Sequence, residues 1–150
     1  MKRSFLYISC LFLILTTVHS QNFKLVSPDK RVELTIHNDS LLSYSLLYQG
    51  KKVTTSSSLG MTFANGKRWG YGDKVIQKNL RKENSPVKLV TGNFREIKNE
   101  YNELRLTFNA GYSVRFRMYN EGMAYRFEGR GVAADSVTVK AEKADFRLSG

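Results

Sequence analysis

The sequence predicts an all-β protein, an antiparallel β-sandwich, and three observations carry that prediction. Apolar and polar residues alternate in short segments, turn residues separate these segments, and no stretch has the spacing of an amphipathic helix of three turns. A period of two places successive side chains on opposite faces of a strand. An all-β chain then buries its apolar faces by packing one sheet on another.

The N-terminal half contains the first of these strands and turns. The segment RVELTIH alternates Val32, Leu34 and Ile36 with polar residues, as a half-buried strand does, and SPDK before it is a turn. Two short strands are predicted on either side of Gln49-Gly50. Asn65-Gly66 is a strong signal for a two-residue hairpin.

The middle of the chain is less regular. Strand-like fragments occur at Lys74–Gln77 and Val87–Val90, and QKNLRKENS between them is polar enough to predict a solvated loop. No linker of low complexity and no internal repeat is present. The sequence therefore predicts a single domain with one irregular connection.

The clearest stretch is the segment VRFRMYNEGMAYRFEGRG at 114–131, which has arginines among aromatic residues. Alternation places one apolar row on each strand, consisting of Tyr112, Val114, Phe116 and Met118 on the first and Met123, Tyr125 and Phe127 on the second. The arginines fall on the opposite face, where Glu103, Glu121 or Glu128 could pair with them across strands. We interpret them as structural charge on a hairpin, and we predict no nucleic-acid partner.

The start of the chain is typical of a secretory signal peptide. Lys2 and Arg3 precede an apolar run at 5–15, and short side chains lead to Ser20, so cleavage is predicted between Ser20 and Gln21. Residues 1–20 would be removed, and the protein would be periplasmic or secreted, without a membrane span. The only cysteine leaves with the signal, so no disulfide is predicted.

Net charge favours an anionic partner only weakly. The chain carries 24 basic and 13 acidic residues, and loss of Lys2 and Arg3 leaves 22 basic residues and a net charge of +9. Such a charge could attract heparin or lipopolysaccharide in a salt-dependent way. We rank this interpretation last because charge of this kind is nonspecific.

The chain lacks the residues that several catalytic mechanisms require. His37 is the only histidine after Ser20, so histidine-based triads and zinc sites are not predicted. GKRWGYGD lacks the ending of a phosphate loop. Carboxylate pairs are the remaining chemistry, and the candidates are Glu100, Glu103, Glu121 and Glu128. Each lies in a turn or among arginines, so we assign no catalytic residue and no metal ligand.

Two aromatic residues could contact a sugar. Trp69 and Tyr71 lie in the glycine-rich GKRWGYGD stretch, and aromatic faces stack on the apolar faces of sugars. The alternative, which we favour, is that Trp69 covers the sandwich or contacts a neighbouring domain. Trp69 and Tyr71 are therefore candidates for carbohydrate binding or for a domain interface.

Four segments, taken in order, resemble the N-terminal domain of glycoside hydrolase family 97, which contains α-glucosidases and α-galactosidases. They are LVSPDKRVELTI, LSYSLLYQGKKVTTSSSLGMTFANG, REIKNEYNELRLTF and VRFRMYNEGMAYRFE. The block at 99–103 followed by the Tyr-Asn-x-Gly hairpin is the most particular feature. One departure is that ENSPVKLV keeps Pro86 and Val87 but lacks the tryptophan of the family's W-x-P-V element.

The resemblance implies a galactose-mutarotase-like sandwich, here incomplete, in residues 21–150. It also implies a catalytic (β/α)8 barrel in the same polypeptide, where the carboxylates and a calcium ion act. No position of this chain matches those residues, so neither catalysis nor calcium is expected of the 150 residues themselves. Two hypotheses remain: a non-catalytic sandwich portion of an exported α-glycosidase, or a free-standing module that binds oligo- or polysaccharide. An incomplete sandwich is also expected to be poorly soluble or loosely folded alone.

Overall fold

A computed structural model describes residues 21–88, 96–129 and 137–150. The described residues form two antiparallel β-sheets, which confirms the all-β sandwich expected from the alternating sequence. The predicted signal peptide at 1–20 lies outside the described residues, whereas Gln21 begins the first strand. Within these three ranges, no helix occurs that could cross a bilayer.

The first sheet has six strands. In spatial order it contains β1 (Gln21–Val26), β2 (Val32–Asn38), β3 (Leu42–Tyr48), β4 (Lys51–Phe63) and β10 (Val139–Ala144), and the two-residue β5 (Arg68–Trp69) also pairs with β4. The predicted alternation in β2 is confirmed, because Leu34 and Ile36 are completely buried between half-buried neighbours. Asn65-Gly66 forms the predicted turn between β4 and β5, with Gly66 N–H donating to the Phe63 carbonyl at 3.0 Å.

The second sheet has four strands in sequence order, β6 (Val75–Lys88), β7 (Glu96–Phe108), β8 (Tyr112–Met118) and β9 (Met123–Gly129). The hairpin expected within 114–131 is present as the pair of β8 with β9. The apolar row of β8 is completely buried, and the row of β9 is partly buried against the same core. Arg115 and Arg117 point to the other face, as predicted.

The prediction of a solvated loop at QKNLRKENS is wrong. These residues lie within β6, which pairs with β7 continuously from Gln77↔Thr107 to Lys88↔Glu96. They lack alternation because β6 is an edge strand whose side chains are mostly exposed on both faces, including Leu80 at 64%. Strand pairing depends on the partner backbone here, and an edge strand rich in charge resists pairing with other molecules.

The core lies between the two sheets and contains aliphatic and aromatic side chains from both. Leu34 and Ile36 of β2 meet the layer that contains Val114 and Phe116 of β8. Each such side chain stabilises the fold by about 1.5–3 kcal/mol when it leaves water. The buried set also includes Leu25, Val32, Leu42, Tyr44, Leu59, Leu104, Leu106, Phe108, Tyr112 and Met118.

The predicted SPDK turn joins β1 to β2 and is held by one carboxylate. Asp29 Oδ1 accepts hydrogen bonds from the Ser27 hydroxyl at 2.6 Å and from Arg31 N–H at 3.0 Å. The backbone N–H of Asp29 donates to Asn120 Oδ1 at 3.0 Å, so the turn also contacts the β8–β9 connection of the other sheet. The hydrogen bond from Ser27, followed by those from Arg31, lowers the pKa of Asp29 to about 2.

This turn predicts an acid-dependent loss of stability. Because the pKa of Asp29 is lower in the folded protein than its reference value of 3.8, ionised Asp29 stabilises the fold above that value, and the contribution disappears as pH falls towards about 2. We expect Asp29→Asn to destabilise the protein at neutral pH, with a difference from the wild type that shrinks between about pH 5 and about pH 2. Urea midpoints measured across this range test the prediction, and a difference independent of pH would contradict it.

Candidate functional site

Trp69 belongs to a stack of three aromatic rings at the junction of the two sheets. Its ring lies nearly parallel to that of Tyr112, with centroids 4.9 Å apart, and Tyr112 in turn stacks on Phe108 at 4.6 Å. The rings of Phe63 and Trp69 meet edge to face, with centroids 4.5 Å apart. The short pairing of β5 with β4 places Trp69 here, since Trp69 lies opposite Met61. The indole is half-buried, and it covers one margin of the core.

The hydroxyl of Tyr112 fixes the loop that follows Trp69. It accepts a hydrogen bond from Gly70 N–H at 2.8 Å and donates to Asp73 Oδ2 at 2.8 Å. Burial raises the pKa of the Tyr112 phenol, so it remains protonated and can donate. The carbonyl of Gly70 accepts from Leu42 N–H at 2.7 Å. These contacts hold the glycine-rich loop against both sheets.

Tyr71 packs on the surface of the first sheet. The guanidinium carbon of Arg68 lies 3.6 Å from the centre of its ring, a cation–π contact. The ring also covers Gly60, where an added Cβ would lie 2.8 Å from Tyr71 Cε2. Gly60 therefore provides the space that the ring occupies. The structure places Trp69 and Tyr71 in intramolecular contacts, and their role in carbohydrate binding or at a domain interface stays a prediction.

The carboxylates considered for catalysis have basic partners. Glu103 is 5% exposed and lies 2.7 Å from Arg117 Nε and 3.3 Å from Arg115 Nη1. Glu128 contacts Arg115, Arg126 and, at 3.3 Å, Arg105. Although burial raises the pKa of Glu128, its hydrogen bonds to Arg115 and Arg126 outweigh that effect and lower it. Paired ions of this kind stabilise a folded face rather than move protons.

The two remaining acids lie apart from this network. Glu100 pairs with Lys98 at 2.5 Å on the outer part of the β6–β7 hairpin. Glu121, the third acid offered as a partner for the arginines, is exposed in the β8–β9 turn and forms no ion pair with any of the described residues. Glu103 and Glu128 are the acids that confirm the predicted cross-strand pairing.

The ion pairs of Glu103 predict a measurable loss of stability when its carboxylate is removed. Glu103→Gln would remove the only carboxylate that pairs with Arg117 among the described residues, and one of the two that pair with Arg115, under partial burial. We therefore expect the free energy of unfolding to fall by about 1.5–3 kcal/mol. Glu100→Gln is the matched control, because the side chain of Lys98 is 69% exposed and such a surface pair contributes at most about 1 kcal/mol. Equal effects of the two substitutions in urea denaturation would contradict this account.

The described residues offer no site for the calcium ion that the family resemblance implies. No three histidine, cysteine, aspartate or glutamate side chains come together within 21–88, 96–129 and 137–150. Calcium prefers several carboxylate and carbonyl oxygens, whereas the two most enclosed glutamates here face guanidinium groups. This set of donors does not fit calcium.

Sequence comparisons show the family. The sequence pattern of the family described as Glycosyl-hydrolase 97 N-terminal matches residues 25–150. A retaining alpha-galactosidase of Bacteroides thetaiotaomicron is 31% identical over 131 residues, which are 87% of this chain and 20% of that protein. The chain therefore spans about a fifth of the length of this curated relative.

Solved structures show the same fold. A glycoside hydrolase family 97 enzyme from Pseudoalteromonas sp. strain K8, in complex with acarbose, superposes with a TM-score of 0.74 at 23% identity, covering 84% of this chain and 20% of that one. A beta-arabinopyranosidase superposes with a TM-score of 0.75 at 25% identity over 86% of this chain and 22% of that one. Together with the match over residues 25–150, this shows that the chain belongs to the glycosyl-hydrolase 97 N-terminal family.

Proposed function

We propose that residues 21–150 form part of the non-catalytic N-terminal sandwich of an exported α-glycosidase whose catalytic (β/α)8 barrel lies elsewhere in the same polypeptide. The observation that carries the proposal is the family match over residues 25–150 in a chain that spans a fifth of its relative's length. The relative is named a retaining alpha-galactosidase, which favours hydrolysis of α-glycosidic bonds by the whole protein. Calcium would act in the barrel.

The arrangement of the acids supports a non-catalytic role for the sandwich. A retaining glycosidase needs two carboxyl groups about 5–5.5 Å apart, facing each other across the bond that is cleaved. The enclosed acids, Glu103 and Glu128, lie on a sheet face and are engaged by arginines instead. The sandwich would therefore support the barrel and wall its cleft.

Exposed apolar side chains provide a surface through which the sandwich could contact the barrel. Phe146 and Leu148, beyond the edge strand β10, are 69% and 74% exposed, and Val139 on β10 is 49% exposed. These side chains lie along the side of β4 on which β10 pairs, and large apolar side chains left exposed on a surface commonly mark a contact with another part of a protein. We propose that later parts of the same polypeptide cover them.

The first experiment is to measure the mass of the native exported protein with an antibody raised against residues 21–150. We expect a product several times larger than the 17.2 kDa of the 150 residues, located outside the cytoplasm, with Gln21 at its N-terminus. A product of about the size of residues 21–150 would contradict the attached barrel. Retention of residues 1–20 would contradict export through a cleaved signal.

The second experiment measures activity. The native protein should cleave a chromogenic α-galactoside or α-glucoside and lose activity on calcium chelation, whereas residues 21–150 alone should cleave neither. Hydrolysis by residues 21–150 alone would contradict the non-catalytic role. A sharp, reversible unfolding transition of a monomeric 21–150 would favour an independent module instead.

Binding of oligo- or polysaccharide by the sandwich itself is the second candidate function. It is favoured by the incomplete burial of Trp69 and Tyr71. Tyr71→Ala is the better probe, because Trp69 also supports the core. Loss of retention on an immobilised glucan with unchanged circular dichroism would support this function, and unchanged retention would oppose it.

A further inference from the structure

The β8–β9 hairpin brings positive charges together around a small side chain. Its register places Arg115 directly opposite Arg126, and Arg117 directly opposite Ala124. Like charges opposite each other on one sheet face are destabilising unless something neutralises them. The methyl group of Ala124 leaves open a concavity of about 120 Å³, lined by Arg115, Arg117, Tyr119, Ala124, Tyr125 and Arg126.

The two neighbouring carboxylates do not balance this charge. The guanidinium groups of Arg105, Arg115, Arg117 and Arg126 contact only Glu103 and Glu128 among the acids of the described residues, which leaves two positive charges in excess. Each guanidinium has five N–H donors, whereas a carboxylate has about four acceptor positions. Donors therefore outnumber acceptors on this face. The next carboxylate, Glu83 on β6, hydrogen-bonds to Arg81.

Two of these arginines are held in place beside Ala124. Arg117 uses its Nε to contact Glu103 at 2.7 Å, and its guanidinium lies over the ring of Tyr101 at 4.3 Å. Arg126 uses Nε and Nη2 to contact Glu128, each at 2.7 Å. The terminal Nη groups of Arg117 and Nη1 of Arg126 take no part in these ion pairs. A fixed guanidinium fork with unused N–H groups is suited to binding an oxyanion by two hydrogen bonds.

We propose that this concavity over Ala124 binds an oxyanion, a carboxylate or a sulfate group, between Arg117 and Arg126. The group can belong to a free inorganic anion or to an acidic saccharide whose sugar ring would lie against Tyr119. The excess positive charge and the space above Ala124 are both needed for binding. The proposal does not depend on the glycosidase role of the whole protein.

The test is calorimetric titration of the intact protein with sodium sulfate, with sodium glucuronate and with sodium acetate, at constant ionic strength set by sodium chloride. We expect saturable binding. Arg126→Gln should weaken binding at least about tenfold through loss of one charge-assisted hydrogen bond. Ala124→Leu, which fills the concavity and keeps every charge, should weaken binding to a similar extent. Both positions are exposed, and circular dichroism verifies that the fold is unchanged.

Arg147→Gln is the matched control. Its side chain is 64% exposed and lies near Asp145, as the 61% exposed side chain of Arg126 lies near Glu128, but Arg147 lies beside the first sheet, where its carbonyl accepts from Thr55 N–H. Binding should be unchanged in this variant. Absence of saturable binding, wild-type affinity of Ala124→Leu, or an equal loss in Arg147→Gln would overturn the proposal. Tighter binding of glucuronate than of acetate would identify a saccharide ligand, and binding of sulfate alone would identify an inorganic anion.

Discussion

Replacement of Tyr112 by alanine is expected to lower the free energy of unfolding by about 3–5 kcal/mol, the range measured when large buried aromatic residues are truncated. Tyr112 is completely buried, and its ring lies between those of Trp69 and Phe108. The substitution removes both stacking contacts and leaves a cavity at the junction of the sheets. Urea denaturation followed by circular dichroism measures the effect.

Tyr112→Phe separates the hydroxyl group from the ring. The phenylalanine keeps the stack but deprives Gly70 N–H of its acceptor and Asp73 of its donor. Because an unsatisfied buried donor costs about 1–3 kcal/mol, this variant should lie between the wild type and Tyr112→Ala. Wild-type stability of Tyr112→Phe would show that the hydroxyl does not anchor the loop.

The second large effect is expected for Gly70→Ala. The backbone of Gly70 has a φ of +84°, and an added Cβ would lie 2.7 Å from the carbonyl oxygen of Leu59, a backbone atom that cannot rotate away. The unfavourable φ costs about 1–2 kcal/mol, and the steric overlap adds about 1–3 kcal/mol. The loop must shift to relieve the overlap, and the hydrogen bond from Gly70 N–H to Tyr112 would weaken with it.

Gly66→Ala provides a control that isolates the steric part. Gly66 has nearly the same φ, +81°, but an added Cβ would meet no atom within 4 Å. Both variants carry the backbone penalty, so the difference between their free energies of unfolding measures the contact of Gly70 with β4. If Gly70→Ala and Gly66→Ala lower the free energy of unfolding in urea equally, the backbone of β4 at Leu59 moves away from the added Cβ at no energetic cost.

Local patterns were sufficient to predict the parts of the fold that depend on neighbours in sequence. The Asn65-Gly66 turn and the β8–β9 hairpin follow from turn residues and a period of two, which act within a few residues. The central part of β6 was missed, although strand-like fragments were predicted at both of its ends, because its strand conformation comes from pairing with β7 rather than from its own composition. An edge strand with polar residues on both faces has no alternation to detect.

The contacts around Trp69 could not be predicted for a related reason. The sequence identified Trp69 and its glycines as special, but the stack joins β5 to a tyrosine 43 positions later in the chain, and Asp73 takes part through that tyrosine. No spacing rule links such distant positions. Likewise, alternation predicted the face occupied by the arginines, whereas the selection of Glu103 and Glu128 over Glu121 depends on strand register.

The stack at the sheet junction also gives the chain an internal optical reporter. Trp69 is the only tryptophan among the 150 residues, and it belongs to one sheet while its stacking partner Tyr112 belongs to the other. Its fluorescence should therefore respond when the two sheets separate, even while the strands within each sheet remain paired. Comparison of emission with far-ultraviolet circular dichroism during unfolding would show whether the sandwich opens before its sheets melt.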